Sequence, residues 1–170
     1  MFTKADIEKY FLAEKHTGLL FLIIATVAIL LALLFYFFLK NNFYKGAAIP
    51  LLVIGLIQAI AGYSVYTRSD KQRIDNVYAY DMNPLKLKNE ELPRMKTVNK
   101  NFSIYQWIEI ALMITGITLI FYFKSDEAKT FWLGFGIALA IQSILMFSAD
   151  YLAEKRAKIY MEQLENFIKK

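Results

Sequence analysis

The sequence predicts an all-α, polytopic membrane protein: a bundle of four transmembrane helices made of two tandem helical hairpins, with amphipathic helices on the cytoplasmic side. Two observations predict this fold. Of the 170 residues, 57% are hydrophobic, which exceeds the share in an ordinary soluble domain. These residues also gather in four blocks, at 19–39, 47–66, 104–123 and 131–149.

Each block is long enough to cross a bilayer once. About 20 residues at roughly 1.5 Å rise span about 30 Å, the thickness of the hydrocarbon core. Lipid offers no hydrogen bonds to the backbone, so each block is expected to be an α-helix.

Basic residues predict the orientation. Segments 1–18, 67–101 and 150–170 hold 3, 8 and 5 Lys and Arg, whereas loops 40–46 and 124–130 hold two each. Short cytoplasmic segments collect these residues, so both termini are predicted to lie in the cytoplasm and the chain in the inner or plasma membrane. The predicted units are a cytoplasmic amphipathic helix (1–18), a first transmembrane hairpin (19–66), a cytoplasmic helix and loop (67–101), a second hairpin (102–149) and a C-terminal amphipathic helix (150–170).

The segments outside the blocks have helical patterns of different strength. Thr3 and Asp6 have the spacing of a capping box, which predicts a short helix lying on the inner membrane surface. The helix of the second block is expected to continue beyond the membrane until Pro84 stops it. The stretch 84–101 is charged, contains Pro93 and lacks a clear period, so it is interpreted as a loop.

The C-terminal segment has the clearest amphipathic pattern. Its apolar stripe follows three-to-four spacing and consists of Ala153, Ala157, Tyr160, Leu164 and Phe167. Such a stripe must be buried against the bilayer surface, the middle cytoplasmic helix or another chain. These five residues are therefore candidates for a partner interface.

The two halves of the chain resemble each other. The sequence 33–37, Leu-Leu-Phe-Tyr-Phe, is similar to 119–123, Leu-Ile-Phe-Tyr-Phe. Gln58 aligns with Gln142, and the same offset of 84 aligns Asp70 with Glu154. The pattern predicts a duplicated unit of one hairpin and one cytoplasmic helix, with both copies in the same orientation.

Glu109 is the one charged residue within the four blocks, and such a residue is by default a functional hypothesis. Gln106 shares its helical face, and Gln58 and Gln142 are expected to join it in a polar layer. These four residues are the candidates for binding a proton or a ligand. A structural role is the alternative, because Glu109 lies close to the cytoplasmic end of its block, where a basic residue could pair with it.

Composition narrows the function. There is no cysteine, no metal-ligand spacing and no pair of nucleophile and base, so neither enzymatic activity nor a cofactor or metal is expected. The net charge of +5 reflects orientation and attraction to anionic headgroups, and nucleic acid is not an expected partner.

Two classes of function remain. The first is a non-enzymatic interaction or regulatory protein, such as an anchor, an accessory subunit or an immunity-type protein, that recognises a partner through its cytoplasmic helices. The second is a small oligomeric channel or a proton-coupled transporter that uses Glu109. The expected partners are the lipid bilayer and, on the cytoplasmic side, a second copy of the chain or another protein.

Overall fold

The computed structural model describes residues 2–169, which form helices joined by short connections. The α-helices are α1 (Lys4–Leu34), α2 (Asn42–Met82), α3 (Pro84–Lys86), α4 (Leu92–Phe123) and α5 (Thr130–Ile168). One π-helical turn, Phe35–Leu39, extends α1, and another, Leu87–Glu91, joins α3 to α4. A 3-10 turn, Glu127–Lys129, precedes α5. The result is an all-helical, four-helix bundle.

The four long helices are about twice as long as a bilayer is thick. Counted with the short helical turns that extend them, as Lys4–Leu39, Asn42–Met82, Pro84–Phe123 and Glu127–Ile168, they contain 36, 41, 40 and 42 residues, or about 54 to 63 Å each. All four are long and apolar enough to cross a membrane. Each has an apolar half that contains one of the blocks at 19–39, 47–66, 104–123 and 131–149. The remainder, within 4–18, 67–82, 84–103 and 150–168, is termed the charged half.

The prediction of a loop at 84–101 is wrong, because this stretch is helical from Pro84 onward. Asn83 leaves helical geometry, with φ −152° and ψ 71°, and Pro84 begins the next helix in the position where proline is tolerated. Pro93 lies in the first turn of α4, directly after the π-helical turn. Proline lacks the N–H that a helix interior needs, so its place at a local irregularity lets the helix continue.

The N-terminal amphipathic segment is not a separate helix on the membrane surface, because α1 runs without a break into its apolar half. Its start is as expected: the backbone N–H of Thr3 donates to the Asp6 carboxylate at 2.8 Å. The apolar face that carries Ile7 and Phe11 is buried against the other helices of the bundle. Because this face is buried in the bundle, it is not available for contact with a membrane surface.

The charged halves enclose a core of large side chains, here called the charged-half core. Tyr10 of α1 and Tyr160 of α5 stack at its centre, with ring centroids 4.2 Å apart and planes within 4°. All four long helices supply members. The buried residues are Phe2, Ile7, Tyr10, Phe11, Ala79, Leu87, Met95, Ala157, Tyr160 and Leu164.

In the apolar halves, α2 and α5 are central and α1 and α4 are peripheral. Of the most apolar stretch of each helix, 39% is buried in α2 and in α5, against 22% in α1 and 11% in α4. The backbones of α2 and α5 touch through a reciprocal pair of contacts. A Cβ added to Gly46 would fall on the carbonyl oxygen of Phe131, and one added to Gly134 would fall on that of Phe43. Only glycine fits at these two positions.

The peripheral helices also approach their neighbours through small residues. A Cβ on Gly62 of α2 would lie 2.8 Å from the carbonyl oxygen of Gly18 of α1. Likewise, a Cβ on Gly136 of α5 would lie 2.8 Å from the carbonyl oxygen of Gly116 of α4. Close backbone approach of this kind is typical of packing between membrane helices.

Candidate functional site

Charged residues gather where the apolar and charged halves meet. This group, here called the junction cluster, takes residues from all four long helices. Its members are Glu14 of α1, Arg68 of α2, Arg94 and Glu109 of α4, and Asp150 and Arg156 of α5. Glu14, Glu109 and Asp150 are buried. Three buried carboxyl groups thus lie in one region of the bundle.

Glu109 is almost fully enclosed, with 2% of its surface exposed, and its nearest ionisable neighbour is Asp150, which is 7% exposed. The two carboxyl groups are close enough to hydrogen-bond to each other. Neither oxygen of Glu109 accepts a hydrogen bond from a donor within residues 2–169. In the same range, neither residue forms an ion pair. The sequence hypothesis of a basic partner for Glu109 therefore fails for this part of the chain.

Glu14 approaches the junction from α1. Burial raises the pKa of its carboxyl group above the ordinary value, while Arg68, Arg94 and Arg156 act in the opposite direction. Asp150 lies near enough to add to the upward shift. Glu14 therefore links the pair deeper in the bundle to the arginine residues around it.

Two of the arginine residues are already engaged. Arg94 makes a bidentate pair with Glu91, with both N–H···O distances at 2.7 Å, and its guanidinium lies 5.5 Å from the centre of the Phe11 ring. Arg156 donates to the hydroxyl of Thr17 at 2.7 Å. The Arg156–Thr17 bond holds α5 against α1, and the Arg94–Phe11 contact holds α4 against α1.

Gln106 does not join Glu109, although the two residues share a helical face. Its amide donates to the Glu154 carboxylate at 2.9 Å, and Lys158 lies 2.8 Å from the same group. Burial acts to raise the pKa of Glu154, but hydrogen bonds from Lys158, Gln106 and Ser103 outweigh it, so the pKa is below the ordinary value. Glu154 is thus an ionised residue that binds α5 to α4.

Gln58 and Gln142 are buried in the apolar halves of α2 and α5. The side-chain oxygen of Gln58 and both polar atoms of Gln142 lack a hydrogen-bond partner in the part of the chain that the structure describes. No hydrogen bond there joins either residue to Glu109. The expected polar layer is therefore a set of buried polar groups without a bonded network.

The C-terminal stripe is covered by the chain itself. Ala153, Ala157, Tyr160 and Leu164 are buried, and Phe167 stacks on Tyr80 of α2 with a centroid distance of 5.1 Å. The predicted middle cytoplasmic segment forms part of this cover, through Ala79, Leu87 and Met95, and α1 forms the rest. These residues fill the charged-half core of their own chain, so the stripe is largely covered here, and its role as a partner interface stays a prediction.

A different apolar stripe is exposed. Ile74, Tyr78 and Met82, each one turn apart on the charged half of α2, are 62%, 65% and 70% exposed. The sequence predicts a helix in this segment, but its pattern does not indicate which face of that helix is free. The name α2 stripe is used for these three residues.

The junction pair was only half predicted. Glu109 stood out because it interrupts an apolar block, whereas Asp150 directly follows the last block and resembles an ordinary boundary residue. Pairing the third and fourth blocks as antiparallel helices could have identified Asp150, because the cytoplasmic part of the third block then lies beside the cytoplasmic end of the fourth.

No protein-family model matches this sequence, and no curated protein or solved structure is significantly similar to it.

Proposed function

We propose that the chain is an integral membrane protein whose four apolar halves cross the bilayer and whose charged halves project into the cytoplasm as one packed unit. The support is the contrast between the two halves. Large aliphatic side chains on the apolar halves point outward, among them Ile23, Leu30, Ile60 and Ile114. Lipid covers such residues, and water does not. The excess of Lys and Arg in the segments that form the charged halves supports the cytoplasmic orientation.

The proposed function is non-enzymatic recognition of a protein partner, with the α2 stripe as the contact surface. The observation that carries it is the exposure of Ile74, Tyr78 and Met82 outside the apolar half. Ile74 lies eight residues beyond Tyr66, or about 12 Å past the end of the block. Three large apolar residues at one-turn spacing in water are typical anchors for a helix that lies in a partner's groove.

The second half of the chain provides an internal comparison. The offset of 84 aligns Ile74, Tyr78 and Met82 with Lys158, Glu162 and Asn166, which are also exposed. It aligns buried Asn76 with buried Tyr160, so the same helical faces are inside in both copies. At the aligned exposed positions, α5 thus carries polar residues and α2 carries apolar ones. This contrast supports selection for a contact at the α2 stripe.

The test places a photo-crosslinking amino acid at position 78, and at position 162 as the matched control. Covalent adducts are expected at 78 and not at 162. An adduct of twice the chain's mass from purified protein identifies a second copy as the partner, and an adduct found only in native membranes identifies another protein. The absence of an adduct at 78 in both preparations would overturn the proposal.

A swap variant sharpens this test. The changes Ile74→Lys, Tyr78→Glu and Met82→Asn install the residues that the aligned positions of α5 carry, so helix formation is expected to be preserved. Association of this variant should be lost, while Ile159→Lys, at an exposed apolar position of α5, should leave association intact. Equal association of the swap variant and the wild type would contradict the assignment of the stripe.

Proton-coupled transport or channel activity is the second candidate function. The observation that favours it is the enclosed Glu109, which no cationic side chain within residues 2–169 neutralises. Proton flux into liposomes that hold the purified protein, and its loss in Glu109→Gln, would support this function. Liposomes that stay tight with the wild type, under an imposed pH gradient and membrane potential, would count against it.

A further inference from the structure

We propose that Glu109 and Asp150 form a proton-binding site in which a single proton is shared between the two carboxyl groups. The site lies between α4 and α5, beside the junction of their apolar and charged halves. It is independent of the α2 stripe, since the stripe contains neither residue. It supplies the proton site that the second candidate function needs, but it can exist in a protein that transports nothing.

The first support is the state of the hydrogen bonds. A carboxylate only accepts hydrogen bonds, so two adjacent carboxylates cannot satisfy each other. Glu109 and Asp150 approach within hydrogen-bonding range, and both oxygens of Glu109 lack a donor from residues 2–169. One proton turns one of these groups into a donor and completes the bond between α4 and α5.

The second support is the absence of a compensating cation among the described residues. Burying two negative charges together without a cation is costly, and taking up a proton is the usual way in which a protein avoids the cost. The other charged groups of the junction cluster are Glu14 of α1, Arg68 of α2, Arg94 of α4 and Arg156 of α5. Of these, Arg94 binds Glu91 and Arg156 binds Thr17, and the three arginine residues act on Glu14.

The third support is enclosure. Both residues are more than nine-tenths buried, so water does not reach the pair freely. Glu14 is also buried, and Asp150 acts electrostatically on it. Glu14 is therefore a third carboxyl group with which the pair could exchange a proton. The ligand assigned to the site is a proton, because the two carboxyl groups alone provide too few oxygen ligands for a tightly held metal ion.

Infrared difference spectroscopy tests the site directly, because a protonated carboxyl group has a carbonyl stretching band that a carboxylate lacks. Wild-type protein in lipid vesicles is expected to show this band at neutral pH. Glu109→Gln and Asp150→Asn should each remove it, since the new amide N–H donates to the remaining carboxylate and replaces the proton. Glu162→Gln, at an exposed position of α5, is the control and should leave the band unchanged.

Glu14→Gln is measured separately, because burial also raises the pKa of Glu14. Persistence of the band in Glu14→Gln, together with its loss in the two pair variants, would confirm the site. The proposal would be overturned if the wild type had no such band at neutral pH, if the pair variants kept it, or if only Glu14→Gln removed it. Because the readout is protonation and not flux, failure of the transport hypothesis would leave this result standing.

Discussion

The charged halves and the apolar halves of the same helices are packed in opposite ways. In the charged halves the buried side chains are large, such as Phe11, Met95 and Tyr160, and form one core. In the apolar halves most of the buried residues are small, such as Ala28 and Gly116, and most of the large side chains point outward. Water drives large apolar residues inward, whereas lipid does not. With the apolar halves in lipid, as proposed, the hydrophobic stabilisation of the chain comes mainly from its charged halves.

The largest effect is expected in the charged-half core. Leu164→Ala removes a fully buried side chain, and its cost should be about 2 to 5 kcal/mol of unfolding free energy, because a cavity remains among ring and aliphatic neighbours. Ile159→Ala, on the same helix at a half-exposed position, is the matched control. Chemical unfolding in detergent micelles measures both variants. Equal losses would show that the charged halves have no stabilising core.

A smaller effect is expected where the apolar halves of α2 and α5 touch. Gly46→Ala pushes a methyl group onto the backbone of Phe131, which cannot move without separating the helices, and should cost about 1 to 3 kcal/mol. Gly55→Ala is the control, since its added Cβ would meet a flexible Ile29 side chain at 3.1 Å. Thermal unfolding midpoints compare the two. A more damaging change at Gly55 would contradict the central position of the α2–α5 contact.

The junction gives a pH-dependent effect. Burial raises the pKa of Glu14 in the folded chain, so the folded state binds this proton more tightly than the unfolded state. Stability is then lost as the pH rises from the ordinary value of 4.5 through the higher folded pKa. Glu14→Gln should weaken this dependence and make the variant more stable than the wild type at neutral pH. Unfolding midpoints measured across this range test it, and parallel curves for the two proteins would refute it.

The smallest effect is expected at the exposed pair of Lys4 and Asp81, which are 2.6 Å apart at the end of the charged halves. Both side chains are nearly half exposed to water, so a double-mutant cycle with alanine should give a coupling energy below about 1 kcal/mol that declines with added salt. A larger, salt-independent coupling would mean that the ends of α1 and α2 are held by charge and not by the core.

The sequence predicted the features that depend on local patterns. The helical blocks, the cap at Thr3 and the break at Pro84 each follow from a few neighbouring residues. The helix through 84–101 was missed, because Pro93 and dense charge obscure a period that tertiary packing of Leu87 and Met95 then supports. The partner of Glu109 was missed for a related reason: Asp150 is distant in sequence and near only after α4 and α5 pair.

The C-terminal stripe shows the limit of amphipathic patterns. Tyr160 and Leu164 were identified correctly as residues that need a cover, but periodicity cannot say whether that cover is lipid, another chain or the same chain. The exposed stripe at Ile74 follows an equally regular pattern. Only the positions of the other helices distinguish the two.

The central claim is that the apolar halves lie in lipid and the charged halves in water on one side. The chain has no cysteine, so single cysteines can be introduced and labelled with a membrane-impermeant maleimide in sealed vesicles of either orientation. Cysteines at Lys71 and Glu162 should label from the cytoplasmic face, those at Asn42 and Ser125 from the opposite face, and one at Ile60 from neither. Labelling of Asn42 and Lys71 from the same face, or of Ile60 from either, would contradict the account.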